Sequence, residues 1–388
     1  MLCIRGNADR AFPVYPYRGI RAGMIGDDGR PAVIHVDHIN NRRDWPHLAL
    51  EISHTQPLCP LCKKGKSNGD STDWRSSERR MVMDPARASM TALGAAYRRA
   101  YHYMHDTPKV FADRFAALFV SPEEATAIEN GFIHILTQAR PHLRVEGDRT
   151  VTLANAIRTD TGTPLVLGRT RYNEDLLDKA IHNGVTQYVL VGAGFDTFAL
   201  RRPDLRERVQ VFEMDHPTTQ DLKRKRMQAA GLALPVNLHL LPADLEVESL
   251  ADVLGRSAYD SAQTAFFAWL GVLSYLTWSA IEGTFTALRS MAPQGGEIVF
   301  DYLTAMAFVP ERQSLALKLR FDRAKAVGEP YLTGFEPTEL SDMLKPLGYD
   351  LKENLGQAEQ TRRYFHQRTD GICPVEYWHW AHASMRPW

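Results

Sequence analysis

Charge imbalance is absent from this 388-residue chain: 46 lysines and arginines face 46 aspartates and glutamates. A chain so balanced has no global electrostatic pull toward nucleic acid or a membrane surface. Cysteine is scarce, with only Cys3, Cys59, Cys62 and Cys373. Four are too few for a disulfide scaffold at this length, and a reducing cytoplasm is the expected setting. Long apolar runs are missing too. The densest, Phe266 to Leu276, is far short of the roughly 20 residues that cross a bilayer. No basic start followed by an apolar stretch opens the chain, so no signal peptide is expected. No internal repeat or low-complexity tract is visible. What remains is an ordinary globular composition, 44% apolar and 24% charged, at a length that predicts two or three units.

Three textures divide the chain. Residues 1–80 are rich in His, Cys and Pro and show little periodicity. Residues 81–165 read as helical: Ser89 to His105 and Pro108 to Leu118 carry apolar side chains three and four apart, the spacing of a helix face. Another helix is expected to start at Ser121-Pro-Glu-Glu, with Ser as cap, Pro in the first turn and acids facing the positive end of the dipole. From about 168 onward strands and helices alternate, the signature of a parallel sheet covered on both faces. The expected strands are 187–191, 209–214, 237–241, 262–268 and 296–302. Helices are expected at 171–183, 218–230, 246–254 and 278–291, with a later one over 337–348 closed by Gly348. A strand from Tyr349 and a second around Gln360 to His366 would form a terminal hairpin.

The most informative stretch is Tyr188-Val-Leu-Val-Gly-Ala-Gly-Phe-Asp196-Thr197, followed by Val211-Phe-Glu213-Met-Asp215. Gly192 and Asp215 are 23 residues apart, room for a turn, a helix and the next parallel strand. Gly192 and Gly194 let the backbone bend sharply and a ligand come close. Asp215 at the end of the neighbouring strand could accept hydrogen bonds from a ribose diol. The third glycine of the dinucleotide fingerprint is missing, which disfavours a pyrophosphate clamp and favours a nucleoside cofactor without phosphate, such as S-adenosylmethionine. Capping of the following helices is the competing reading for Asp215 and Asp244, and Asp196 reads equally as a residue that only orients the turn. Lys223-Arg-Lys-Arg226 reads as a solvated helix face rather than a nucleic-acid site.

Several blocks resemble one family over about residues 89–367, the leucine carboxyl methyltransferase family, in its bacterial S-adenosylmethionine-dependent O-methyltransferase branch. They are Ser89-Met-Thr-Ala-Leu-Gly, Arg169-Thr-Arg171-Tyr-Asn-Glu-Asp175, Val191-Gly-Ala-Gly-Phe-Asp196, Val211-Phe-Glu-Met-Asp215-His-Pro, Pro242-Ala-Asp244-Leu245, Phe267-Ala-Trp-Leu-Gly-Val-Leu-Ser-Tyr275-Leu and Phe335-Glu-Pro-Thr-Glu-Leu. The resemblance implies an α/β, class I methyltransferase (Rossmann-like) fold, with a seven-stranded, mostly parallel sheet over 166–388 and a helical lid over 81–165. It implies S-adenosylmethionine as cofactor, with Gly192 and Gly194 under its methionine portion, Asp215 on the ribose and Asp244 with Leu245 framing the adenine. Arg169 would pair with the cofactor's carboxylate, and Arg171 on the same short segment is as plausible for that part. One departure touches the substrate side: where some members carry Glu five residues before the Tyr-Leu pair, this chain has Leu270.

Methyl transfer from a sulfonium is an in-line displacement, so the protein's main task is alignment and exclusion of water. A carboxylate of a small molecule, a natural product for example, needs no general base; a hydroxyl would profit from one, and His216 is only a distant candidate. Tyr275 and Asp301, with Tyr302, are expected to face the acceptor. Phe266, Trp269 and Leu273 read first as core.

The N-terminal eighty residues carry a second pattern, His35-Val-Asp37-His38-Ile39 and then His54-Thr-Gln-Pro-Leu-Cys59-Pro-Leu-Cys62-Lys-Lys-Gly-Lys66. It resembles an HNH endonuclease module of ββα-metal type over about 30–75. That implies His38 as general base and Asp37 on a divalent ion, with zinc or magnesium held among Asp37, His54, Cys59 and Cys62. His54 stands where that family has Asn, and a structural zinc needs four ligands where one clear Cys pair exists. These departures favour a degenerate or structural module over an active nuclease. Any contact with nucleic acid is expected through this module alone, by Lys63, Lys64, Lys66 and Arg75.

Overall fold

The computed structural model describes residues 35–38, 55–58, 89–245 and 247–387, and the chain divides into two units, 1–81 and 82–388. In the first unit the described residues form an antiparallel pair, β1 (His35–His38) and β2 (Thr55–Leu58), with Asp37 opposite Gln56 and His38 opposite Thr55. Asp37 and His38 thus end a strand. His54, Cys59, Cys62 and the basic residues 63–75 lie outside the described residues.

The second unit is built on one eight-stranded sheet. Its strands are β3 (Gln187–Val191), β4 (Gln210–Asp215), β5 (Leu238–Pro242), β6 (Ala265–Trp269), β7 (Gly296–Thr304), β8 (Gly334–Phe335), β9 (Tyr349–Leu355) and β10 (Trp378–Met385). The order is β5-β4-β3-β6-β7-β10-β9, with the two-residue β8 beside the end of β7. Neighbours from β5 to β7 run parallel, and β10 is antiparallel to both β7 and β9. Every residue of β3 and of β6 is buried, as expected of strands covered on both faces. Alternation survives in where the side chains go. Tyr188 and Leu190 join one core with Leu176, Leu177 and Phe266, while Val189 and Val191 join the other with Phe212, Phe267 and Phe285.

The first core is covered by α4 (Gly162–His182), the second by α8 (Trp278–Ser290). Between β3 and β4 the only α-helix is the short α5 (Phe198–Arg201); α6 (Pro217–Ala229) and α7 (Leu250–Gly255) follow β4 and β5. Three earlier helices, α1 (Met90–His105), α2 (Pro122–Ala139) and α3 (Arg149–Thr159), share a third core that includes Phe195. The capping box at α2 is complete: Glu124 N donates to Ser121 Oγ and Ser121 N to the Glu124 carboxylate. A later helix, α9 (Leu315–Ala326), packs on α2, so the helical cover is not confined to 81–165. Among the described residues no helix is long and apolar enough to cross a membrane.

Four expectations fail. Residues 108–115 are not helical; a 3-10 turn forms only at Ala116–Phe119. Side chains take over the backbone donors there: Val110 N donates to His102 Nε2 at 2.9 Å, and Phe115 N and Ala116 N to Asp113 Oδ1 at 3.1 Å. Such competition defeats apolar spacing. The last strand is not Gln360–His366, which forms helical turns, but Trp378–Met385. Gln360 fixes that turn by donating to the Leu355 and Trp378 carbonyls at 2.8 Å each. With β10 inserted between β7 and β9, and β8 beside β7, the sheet has eight strands rather than seven. The helix expected over 337–348 shrinks to α10 (Leu340–Leu344).

Candidate functional site

The chain order reverses direction between β3 and β6, and in open α/β sheets ligands bind outside the carboxyl ends of the strands at that point. The glycine turn sits there. Gly192 and Gly194 have φ of +74° and +54°, a region that L side chains rarely adopt. Gly192 N and Ala193 N both donate to the Met214 carbonyl at 2.9 Å, and Gly194 N donates to Asp215 Oδ2 at 2.6 Å. Asp215 Oδ1 accepts from His216 N at 2.8 Å. A carboxylate offers about four acceptor sites, so with these bonds and one from the Thr219 side chain Asp215 keeps room for a further donor, such as a ribose hydroxyl. Burial raises the Asp215 carboxyl above the usual range, while its bonds from Gly194 and His216 pull it down.

Neither acid is a helix cap. The cap of α6 is His216, whose Nδ1 accepts from Thr218 N at 3.3 Å, and the cap position of α7 is Ser249. β5 pairs with β4 so that Pro242 lies opposite Asp215, and Ala243 N donates to the Asp215 carbonyl at 3.0 Å. Asp244 is held at the adjacent strand end by a turn in which its carbonyl accepts from Val247 N and Glu248 N. Leu245 beside it is exposed. Asp196 orients the turn: its Oδ1 accepts from Phe198 N at 2.7 Å.

The basic run on α6 departs from expectation. Arg224 and Lys225 are exposed, but Lys223 is 1% exposed and forms an ion pair with Glu213, itself 1% exposed. Lys223 Nζ also donates to the Asp196 carbonyl at 2.6 Å. Burial pushes the Glu213 carboxyl up to about 7, against the pull of Lys223. Arg226 grips both carboxylate oxygens of Glu124, at 2.7 and 2.8 Å, and bonds the Phe119 carbonyl. Lys223 thus braces the glycine turn and Arg226 ties α6 to the start of α2. Three residues apart, they share one helix face.

Arg169 lies on α4 and donates through Nη1 to Asp301 Oδ2 at 2.9 Å; Asp301 Oδ1 accepts from Gly271 N at 2.6 Å. Asp301 is 1% exposed. Asp301 thus holds Arg169 and the loop after β6 together from a buried position. Tyr302 is likewise fully buried, with its hydroxyl on Asn354. Arg171, two positions from Arg169 on the helix, points elsewhere and pairs with Asp175 at 2.7 Å. Phe266, Trp269 and Leu273 are core.

Between α1, α4, α9 and the loop after β6 lies a small cavity, about 30 Å³, whose wall includes Arg98, Arg169, Tyr275, Arg320, Tyr331 and Trp378. No local pattern marks Arg98, Arg320, Tyr331 or Trp378, which come from four separate segments. Arg98 and Arg320 share Asp160, at 2.7 and 3.5 Å. Arg320 Nε donates to the Tyr331 hydroxyl at 3.1 Å, and Tyr275 stacks on Tyr331 with ring centroids 4.9 Å apart. Burial next to Tyr331 drives the Tyr275 phenol well above its usual pKa. The Trp378 indole N–H is buried with no hydrogen-bond partner. Among the described residues no group of three or more His, Cys, Asp or Glu is placed to hold a metal ion.

Gly192 gives a direct test of the turn. A methyl group there would run into the Val272 side chain, and the backbone would be strained as well. Gly192→Ala is expected to lower stability by about 1–3 kcal/mol and to abolish cofactor binding, checked by thermal melting and calorimetry.

Residues 92–289 match the model of a family described as leucine carboxyl methyltransferase. A Bacillus subtilis (strain 168) relative named "Putative S-adenosyl-L-methionine-dependent methyltransferase YktD" is 32% identical over 301 residues, 77% of this chain and 98% of the relative. A Mycolicibacterium smegmatis protein with the same description, YktD aside, is 29% identical over 57% of this chain and 65% of its own length. Among solved structures, the CcbJ methyltransferase from Streptomyces caelestis aligns at a TM-score of 0.36 with 18% identity, over 56% of this chain and 88% of that one, a weak likeness. A family match over half the chain and a relative spanned almost end to end lead to one conclusion: the chain belongs to the leucine carboxyl methyltransferase family and is an S-adenosylmethionine-dependent methyltransferase.

Proposed function

We propose that this methyltransferase acts on an oxygen of a small molecule, and that the oxygen belongs to a carboxylate rather than a hydroxyl. The observation that carries the choice is the chemistry of the cavity wall. It presents three guanidiniums, Arg98, Arg169 and Arg320, and no histidine or carboxylate side chain. Their partners Asp160 and Asp301 balance two of the three charges. The Tyr275 phenol, held well above its usual pKa, stays protonated and serves as a donor, not a base. A cavity of donors without a base suits an acceptor that is already an anion.

In this reading Asp215 takes the ribose hydroxyls, Gly192 and Gly194 line the methionine portion, Asp244 and Leu245 frame the adenine and Arg169 faces the cofactor's carboxylate. Arg171 drops out of the assignment because it is committed to Asp175 on the outer face. When bound, S-adenosylmethionine supplies a methyl group on a sulfonium, open to in-line displacement. The chain's own work is to orient the acid through Arg98, Arg320 and the free Trp378 N–H, and to exclude water with α1, α2 and α9.

Incubating the full chain with methyl-labelled cofactor and matched sets of organic acids and phenols tests the choice. Label on acids, released as methanol by alkali, is the expected result, because esters hydrolyse and ethers do not. Alkali-stable label would contradict it.

A further inference from the structure

The cofactor carries two positive groups, a sulfonium and an ammonium, and no residue above answers either of them. Glu329 is placed to do so. It follows α9 and is buried. Its carboxylate accepts from the Thr91 hydroxyl and the Thr91 backbone N–H and bonds the Ser89 side chain, all at the start of α1. That first turn lies directly over the glycine turn: a Cβ added at Gly194 would stand 3.1 Å from the Ala92 methyl. Thr91 also lines the cavity beside Arg169 and Gly271.

The segment carrying Glu329 is fastened to the same loop. Leu332 N donates to the Ser274 carbonyl at 2.7 Å, and the Thr333 hydroxyl to the Leu276 carbonyl at 2.6 Å. Asp215 is near enough for its charge to raise the Glu329 carboxyl further, on top of burial. Among the described residues no lysine, arginine or histidine forms an ion pair with Glu329. Its present donors are all neutral, so a buried carboxylate beside a second one still favours a cationic ligand that would match its charge.

We infer that Glu329, presented by the lid and steadied by Thr91, binds the α-ammonium of the cofactor's methionine portion. The inference rests on the cofactor reading above. It also gives a physical meaning to Leu270, since the carboxylate missing from the loop after β6 is supplied by a different segment.

The test uses calorimetry on the full chain with two probes. S-adenosylhomocysteine has the amino-acid portion, and 5′-methylthioadenosine lacks it. Glu329→Gln is expected to weaken the first by about 10- to 100-fold, the range of a charged hydrogen bond, and to leave the second within about twofold. Thr91→Val, a milder change, should weaken the first several-fold and spare the second. Equal losses on both probes, or no loss on the first in either variant, would overturn the assignment. If the unaltered chain bound neither probe, the cofactor reading itself would fall and the assignment with it; binding of both by the unaltered chain with no selective loss sinks the Glu329 role alone.

Discussion

Lys223→Met is expected to destabilise the fold by about 3–5 kcal/mol, the usual consequence of removing one partner from a buried ion pair. Lys223 and Glu213 are each 1% exposed, so the stranded carboxylate has no water to turn to. The Asp196 carbonyl loses its donor as well, and the glycine turn loses its brace. The loss must depend on pH with a definite sign. A carboxyl whose folded pKa is raised above its unfolded value binds more protons when folded, so stability falls as pH rises through that window. Glu213 is already pushed up to about 7 with Lys223 beside it, and removing the lysine moves it further up. The deficit of the variant is therefore expected to be smallest near pH 5.5 and to widen toward pH 8, in urea unfolding followed by fluorescence. Adding Glu213→Leu should recover most of the loss, since an apolar pair of similar volume replaces a buried ion pair at little cost. A variant as stable as the parent at every pH would contradict the account.

The second large effect concerns Asp215. On the proposed cofactor reading, Asp215→Ala removes two charge-assisted bonds to the ribose, each worth about 1.5–3 kcal/mol, so cofactor affinity should fall by about 100-fold or more. It also strips Gly194 N of its acceptor, so the turn relaxes in the same step. Asp215→Asn separates the two contributions. The amide oxygen can still accept one hydroxyl or the Gly194 N–H, and an intermediate loss is expected. Circular dichroism of both variants should match the parent, because Asp215 supports no helix cap. Unchanged affinity in both would remove Asp215 from the site.

Much of this could be read before any coordinates. The strand at 187–191, the helix at 278–290 and the capping box at Ser121 follow from local patterns that tertiary contacts did not oppose. The glycine turn and Asp215 were legible for the same reason: a 23-residue βαβ spacing is a local signal. What escaped depends on distant partners. Trp378-His-Trp-Ala-His-Ala-Ser-Met shows no clean alternation because both faces are covered, and nothing local marks it as a strand inserted between two others. Lys223 looked like surface because its partner Glu213 sits on a different element. Arg98, Arg320, Tyr331 and Trp378 come from α1, α9, the segment after it and β10, and only folding gathers them around one cavity, with Glu329 against the start of α1. The Asp301 carboxylate was visible, but its engagement by Arg169 and Gly271 N was not.

The most direct test of the whole account is a calorimetric titration of the unaltered full chain with S-adenosylmethionine. One molecule is expected to bind per chain, displaced by S-adenosylhomocysteine and lost in Asp215→Ala. No binding, or binding indifferent to Asp215, would contradict it.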